Sequence, residues 1–251
     1  MATEITASHK DFADRLRGAH VLETEEEVPT SYRRVYVWEL PVRVFHWVNA
    51  VAVLALILTG LLIGNPLRIF YAAEPSSQYW FGWVRFIHFA SGYVFFFNFL
   101  YRMYWAFAGN KYANWRNFIP YKKEDWKGVW VVLTTDIFPF RKERHLSVGH
   151  NPLASLTYFI LFLLILLQSM TGFALYADMS GSFIPSLFAW VKPMLGGDAS
   201  TRLWHHIFMW LFVLFTIIHV YLVFFHDWLE GRGVTSSIIG GWKFRKDEDL
   251  L

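Results

Sequence analysis

Apolar positions along this chain do not alternate with polar ones; they run together. Four such runs stand out, at about residues 44–64, 86–108, 153–176 and 203–225. Each is close to the ~20 residues a helix needs to cross the hydrocarbon core. In lipid a lone segment satisfies its backbone groups by being helical. Asn151-Pro152 offers an N-cap and a first-turn proline to the third run. The expected fold is therefore all-α, an integral membrane four-helix bundle within residues 36–245. Residues 1–35 are polar, with acidic Glu23, Glu25, Glu26 and Glu27, and lack the apolar core and cleavage site of a secretory signal. They read as an N-terminal tail, and residues 246–251 as a short C-terminal one.

The connections differ in charge, and the difference orients the bundle. Residues 65–85 hold two basic side chains (Arg68, Arg85), and residues 177–202 hold two (Lys192, Arg202). The middle loop, 109–152, holds eight: Lys111, Arg116, Lys122, Lys123, Lys127, Arg141, Lys142 and Arg144. Arg33, Arg34 and Arg43 precede the first run, and Arg232, Lys243, Arg245 and Lys246 follow the last. The excess of Lys and Arg marks the cytoplasmic side, so both termini and the middle loop are expected there, in a bacterial inner membrane. Within that loop, Trp126 to Phe138 suits a short helix along the interface. The 177–202 connection, with Phe183, Phe188 and Trp190 among Gly and Pro, suits a folded cap on the opposite side.

Composition narrows the chemistry. Charged residues are 17% of the 251, against roughly 25% in soluble domains. Aromatics reach 20%, enough both for interfacial belts and for walls around a flat apolar ligand. Cysteine is absent, which excludes disulfides, thiolate-held iron–sulfur clusters and covalently attached c-type haem. A redox metal would need His, carboxylate or Met. A net charge of +3 gives no basic footprint for nucleic acid.

Of ten histidines, five lie in the apolar runs, and four of them are candidate ligands: His46, His88, His205 and His219. A single intramembrane His is as readily a buried ring bonded to a neighbouring carbonyl, but ionisable groups there are costly, and four at matching depths are hard to explain in that way. The first helix enters from the cytoplasm, so His46 lies near that face, while His88 and His205 open helices entering from the other side. His219 is fourteen residues beyond His205, about 21 Å along the axis and within about 40° of the same stripe. Two axial pairs are expected: His88 with His205 at the outer face, and His46 with His219 at the inner. His206 points about 140° away from His219 and is expected at the interface.

Two imidazoles on one iron leave no open position for substrate, which describes an electron-transfer haem rather than a catalytic one. Two b-type haems are expected, with irons about 20 Å apart by helix rise, although one is possible. Arg43, Arg85 and Arg202 each stand three residues before a candidate ligand, on the same helix face, where guanidinium suits a haem propionate. Membrane-edge anchoring explains them equally well. Gly60 and Gly92 would admit a porphyrin or a close helix. In the third run, Gln168, Ser169 and Thr171 read as interhelical hydrogen-bonding groups before they read as a quinone pocket. His9, His20, His145, His150 and His226 fall in tails, loops or a helix end and read as solvated or capping.

Several stretches resemble the cytochrome b subunit of membrane-bound nickel–iron hydrogenases. They include Arg43-Val-Phe-His46-Trp47 running to Leu58-Thr59-Gly60, and Trp204-His205-His206 with Trp210 and His219-Val220-Tyr221. Arg85-Phe-Ile-His88-Phe89, Arg102-Met-Tyr-Trp105-Ala106 with Gly109-Asn110, Gly149-His150-Asn151-Pro152 and Thr171-Gly172-Phe173-Ala174-Leu175-Tyr176 add to the likeness, which covers about residues 33 to 245. The resemblance implies a partner hydrogenase: a small subunit with iron–sulfur centres and a C-terminal membrane helix docked on the outer face, beside its large subunit. Electrons from hydrogen would pass to quinone. A gamma-type cytochrome b of formate dehydrogenase or thiosulfate reductase would keep the chemistry and change the partner. A haem-free membrane anchor or transporter would change both.

Overall fold

The computed structural model describes residues 32–66, 79–119, 123–132, 134, 152–230 and 233–246. The acidic cluster, Arg68, the Gly149–Asn151 stretch, His9, His20, His145 and His150, and Lys122, Arg141, Lys142 and Arg144 of the middle loop lie outside them. The described residues divide between two units, residues 32–35 with 244–246 and residues 36–243. Strands β1 (Tyr32–Tyr36) and β2 (Trp242–Lys246) form a two-stranded sheet, which the apolar pattern did not foretell because strands of five residues carry little periodicity.

Four long helices dominate the larger unit: α1 (Leu40–Gly64), α2 (Trp80–Ala108), α4 (Pro152–Ala177) and α7 (Asp198–Glu230). Shorter ones connect them: α3 (Lys123–Val132), α5 (Phe183–Ser186), α6 (Val191–Met194) and α8 (Val234–Gly240). The long helices outrun the apolar runs at several ends, because amphipathic and charged residues continue the helix beyond the hydrocarbon. Thus Pro41 sits in the first turn of α1, and Asp198 opens α7, where a carboxylate suits the helix dipole.

Three of the four, α1, α4 and α7, are long and apolar enough to cross a membrane. In their most apolar windows only 11%, 17% and 6% is buried within the protein. The apolar surface faces outward, as a lipid-bathed bundle requires. α2 is long enough but less apolar, since His88, Asn98, Arg85 and Arg102 lie along it.

Asn98 and Arg102 are buried because they face protein. Asn98 Nδ2 donates to the Phe45 carbonyl at 3.0 Å. Arg102, 1% exposed, donates through Nε to Tyr158 Oη at 2.6 Å and through Nη2 to the Ala113 carbonyl at 3.2 Å. Its guanidinium lies over the rings of Phe45, Phe118, Tyr158 and Phe162, which spread its charge without a carboxylate. The cage ties α2 to α4. At the start of α1, Glu39 Oε2 accepts from Trp105 Nε1 at 3.0 Å and from Asn110 N–H at 2.9 Å, fastening α1 to the end of α2. Gly109 ends that helix, where a Cβ would stand 2.7 Å from the Trp105 carbonyl.

The expected interfacial helix is α3, shifted toward the N-terminus of the expected stretch and packed on α4, with Val129 buried and Trp126 and Trp130 exposed. The 177–202 connection is folded, as expected. Phe188 stacks on Phe173 at 5.6 Å, and Lys192 pairs with Asp178 and, at 3.8 Å, with Asp198.

α1 packs most extensively on α2, and α4 on α7, while α7 barely approaches α1. Between the two helix pairs lies a small core of Ala52, Phe95, Phe99, Leu164, Ile165 and Phe212. Phe95 and Phe212 meet edge to face at 5.8 Å across the bundle. Phe212 is seven residues from both His205 and His219, so this layer lies midway between the two histidine depths.

Candidate cofactor site

All four candidate histidines are half-buried on the bundle interior. His46 of α1 and His219 of α7 face one another, with ring centroids 6.2 Å apart and planes inclined by 54°. Two imidazoles binding one metal from opposite sides, each at about 2 Å, place their centroids roughly that far apart. The spacing therefore fits a shared iron. Phe215, one turn before His219, stacks on its ring at 5.2 Å and limits its rotation. His46 Nδ1 and Asn49 Oδ1, three residues apart on α1, are buried without hydrogen-bond partners.

At the other depth stand His88 of α2 and His205 of α7, the latter fourteen residues before His219 on the same helix. Each is held by a Thr-Gly pair on the helix packed beside its own. Thr59 Oγ1 of α1 stands 2.9 Å from His88 Nδ1, and Thr171 Oγ1 of α4 stands 3.0 Å from His205 Nδ1. A Cβ on Gly60 would come within 3.2 Å of His88 Cε1, and one on Gly172 within 3.0 Å of His205 Cε1. Only glycine lets each imidazole lie so flat against the neighbouring helix. Gln168 Nε2 is 3.3 Å from His205 Nε2, and its Oε1 is buried without a partner.

Of the two glycines expected to admit a porphyrin, Gly60 touches a candidate ligand, whereas Gly92 faces open space with nothing within 4 Å. Gln168 and Thr171 do bond between helices, but to a candidate ligand rather than to generic packing partners, and Ser169 Oγ is buried without a partner. Thr59, Gly172 and Asn49 were given no role by sequence reasoning. The repetition of Thr-Gly in the first and third apolar runs was the available signal.

The three arginines have protein partners. Arg43 donates through Nη1 to the Ile239 carbonyl, leaving its buried Nε without a partner. Arg85 Nη2 lies 3.0 Å from Met179 Sδ, with its guanidinium over Phe89. Arg202 Nε donates to Asp198 Oδ2 at 2.7 Å. His206 is exposed, its ring against α1 near Gly64.

The donor set suits haem. Four imidazoles stand at two depths, two of them beside glycines whose added Cβ would come within 3.0–3.2 Å of the ring, and one pair at a separation suited to a shared iron. Residues 37–241 match the family described as prokaryotic cytochrome b561. The chain belongs to that family. Relatives bear on it over most of their length. It is 40% identical over 218 residues to the "Probable Ni/Fe-hydrogenase B-type cytochrome subunit" of Azotobacter chroococcum mcd 1, covering 85% of this chain and 90% of that one. It is 38% identical over 222 residues to the protein of the same description from Cupriavidus necator, covering 86% and 90%. It is 35% identical over 216 residues to the "Probable Ni/Fe-hydrogenase 1 B-type cytochrome subunit" of Escherichia coli K12, covering 84% and 91%. The B-type haem that these descriptions imply needs no cysteine tether, and the chain has no cysteine.

Proposed function

We propose that this protein is the haem-b electron-transfer subunit that anchors a nickel–iron hydrogenase to the membrane and passes electrons from hydrogen to quinone. The observation that carries the reading is the His46–His219 pair, two rings from helices that otherwise barely meet, at a separation suited to one shared iron. The family and the printed descriptions of its relatives support the hydrogenase partner. Bound haem supplies a one-electron carrier, and two electrons with two protons convert quinone to quinol.

The chain's own residues supply the rest. His88 with His205, and His46 with His219, would hold two haems through their imidazole nitrogens. The small subunit with its iron–sulfur centres, beside the large subunit, docks at the His88–His205 end. Quinone meets the protein at the His46–His219 end. Arg85 spends its guanidinium on a thioether and a ring face, weak partners that leave it able to take a propionate. Arg43 has an unpartnered Nε for the same purpose, and Arg202 would have to release Asp198. Neither axial position of a bis-histidine site is open, so the chain carries electrons and turns over substrate only at quinone.

Haem counted in the intact complex tests this reading. Two haems per chain are expected, all released by acidified organic solvent, and His88→Ala should leave one. A ratio near one in the unaltered complex, unchanged by His46→Ala, would leave only the outer site standing. Absence of a cytochrome absorption spectrum would turn the reading to the haem-free anchor or transporter.

Orientation belongs to the same proposal: an inner-membrane protein with both termini cytoplasmic, supported by the basic excess of the middle loop. A reporter active only outside the cytoplasm should be silent when fused after residue 251 and active when fused within 65–85. The reverse result would invert the order of the two sites.

A further inference from the structure

We propose that Thr59 and Thr171 are positioning residues that set the two sites to different potentials, by fixing the Nδ1–H tautomer of His88 and His205 and accepting its hydrogen bond. The inference rests on the proposed haem ligation and goes beyond it, from which residues bind to how the order of the sites is imposed.

The hydrogen-bond inventory of each threonine leads to it. Thr59 Oγ1 lies 2.6 Å from the Ala55 carbonyl, and Thr171 Oγ1 lies 2.9 Å from the Leu167 carbonyl. A carbonyl can only accept, so each hydroxyl spends its single proton on its own helix, one turn back. What it offers the histidine is a lone pair. Nδ1, at 2.9 Å from Thr59 and 3.0 Å from Thr171, must then be the donor. At His205 the Gln168 amide also stands 3.3 Å from Nε2, a contact that Gln168 gives up when Nε2 binds iron. With Nδ1 as the donor to threonine, both rings carry their proton on Nδ1, the tautomer that leaves Nε2 as the basic nitrogen.

At the inner site His46 Nδ1 is buried and meets no acceptor among the described residues. An imidazole that donates Nδ1–H to an oxygen gains negative character at Nε2 and becomes a more basic ligand. A more basic ligand favours the ferric state and lowers the potential. With acceptors on both outer ligands and none on His46, the outer site is held low and the inner site high. One-electron transfer from outer to inner then runs downhill, with no proton changing place.

Redox titration of the visible spectrum of the intact complex tests this without recourse to turnover. Thr171→Val and Thr59→Val keep the shape and remove the hydroxyl. Each should retain both haems, raise the midpoint of the outer one and leave the inner one where it was. Thr→Ser at either position should restore the original midpoint. If a valine variant loses haem while its serine counterpart keeps it, the hydroxyl is holding the ligand ring, as proposed. Valine variants with both haems and unmoved midpoints would overturn the proposal, and so would loss of haem in valine and serine variants alike. If His88→Ala keeps the full haem content, the ligand assignment itself is wrong and the tuning falls with it.

Discussion

Replacing His219 with Ala is expected to stop hydrogen-to-quinone turnover, a fall of at least a hundredfold, while the outer haem stays reducible by hydrogen. The substitution removes one ring of the pair at 6.2 Å and leaves His46 to hold iron from one side. It also removes the ring on which Phe215 stacks, so the inner pocket loosens. Haem content should drop from two to one per chain. His88→Ala should act in the opposite sense: the inner haem remains but is no longer reduced by hydrogen. Spectra of the two variants under hydrogen, compared with quinol formation, separate these outcomes. Full turnover in the His219 variant would place quinone reduction at the outer face.

Gly172→Val carries the second large expectation. A bare Cβ would already approach His205 Cε1 to 3.0 Å, closer than most real contacts of that kind. The two methyls of valine would reach further into the space of the ring. Because Thr171 holds Nδ1 from the same turn, the imidazole cannot tilt away without losing that bond. Most chains should therefore lose the outer haem and keep the inner one. Gly82→Val, in the first turn of α2 with nothing within 4 Å, serves as the control and should keep both. Equal haem content in the two variants would show that the Gly172 cradle is not needed for the ligand.

What was legible in the sequence was whatever depends on chain-wide pattern. Runs of apolar residues gave four helices, since length against bilayer thickness is a coarse test. Helical rise from His205 to His219 gave the depth at which His46 is met. Strands β1 and β2 were not legible, since two five-residue segments leave no period to read. The second run was read like the other three, yet it carries Asn98 and Arg102, whose burial makes sense only with the Phe45 carbonyl and Tyr158 beside them. Thr59 went unread, and Thr171 was read only as an interhelical hydrogen-bonding group, for a related reason. A threonine in a membrane helix ordinarily bonds its own backbone, which both do, and only spatial neighbours show what the remaining lone pair accepts. The arginines show the limit of register arguments: three positions before each histidine they share a helix face, yet each reaches a different partner.

The layer of Phe95, Phe99 and Phe212 between the two histidine depths has a consequence for the membrane as an insulator. A file of water or a chain of hydroxyls would let protons hop from one face to the other and discharge the gradient. Carbon and aromatic hydrogen offer neither donor nor acceptor for such hopping, and a packed interior leaves no room for water without polar partners. Electrons need no such stepping stones, because their wavefunctions penetrate a packed hydrocarbon layer. The phenylalanines thus act as a dielectric between two plates, passing one kind of charge and blocking the other. A polar residue in place of Phe212 is expected to make the bundle leaky to protons while leaving the proposed electron transfer in place.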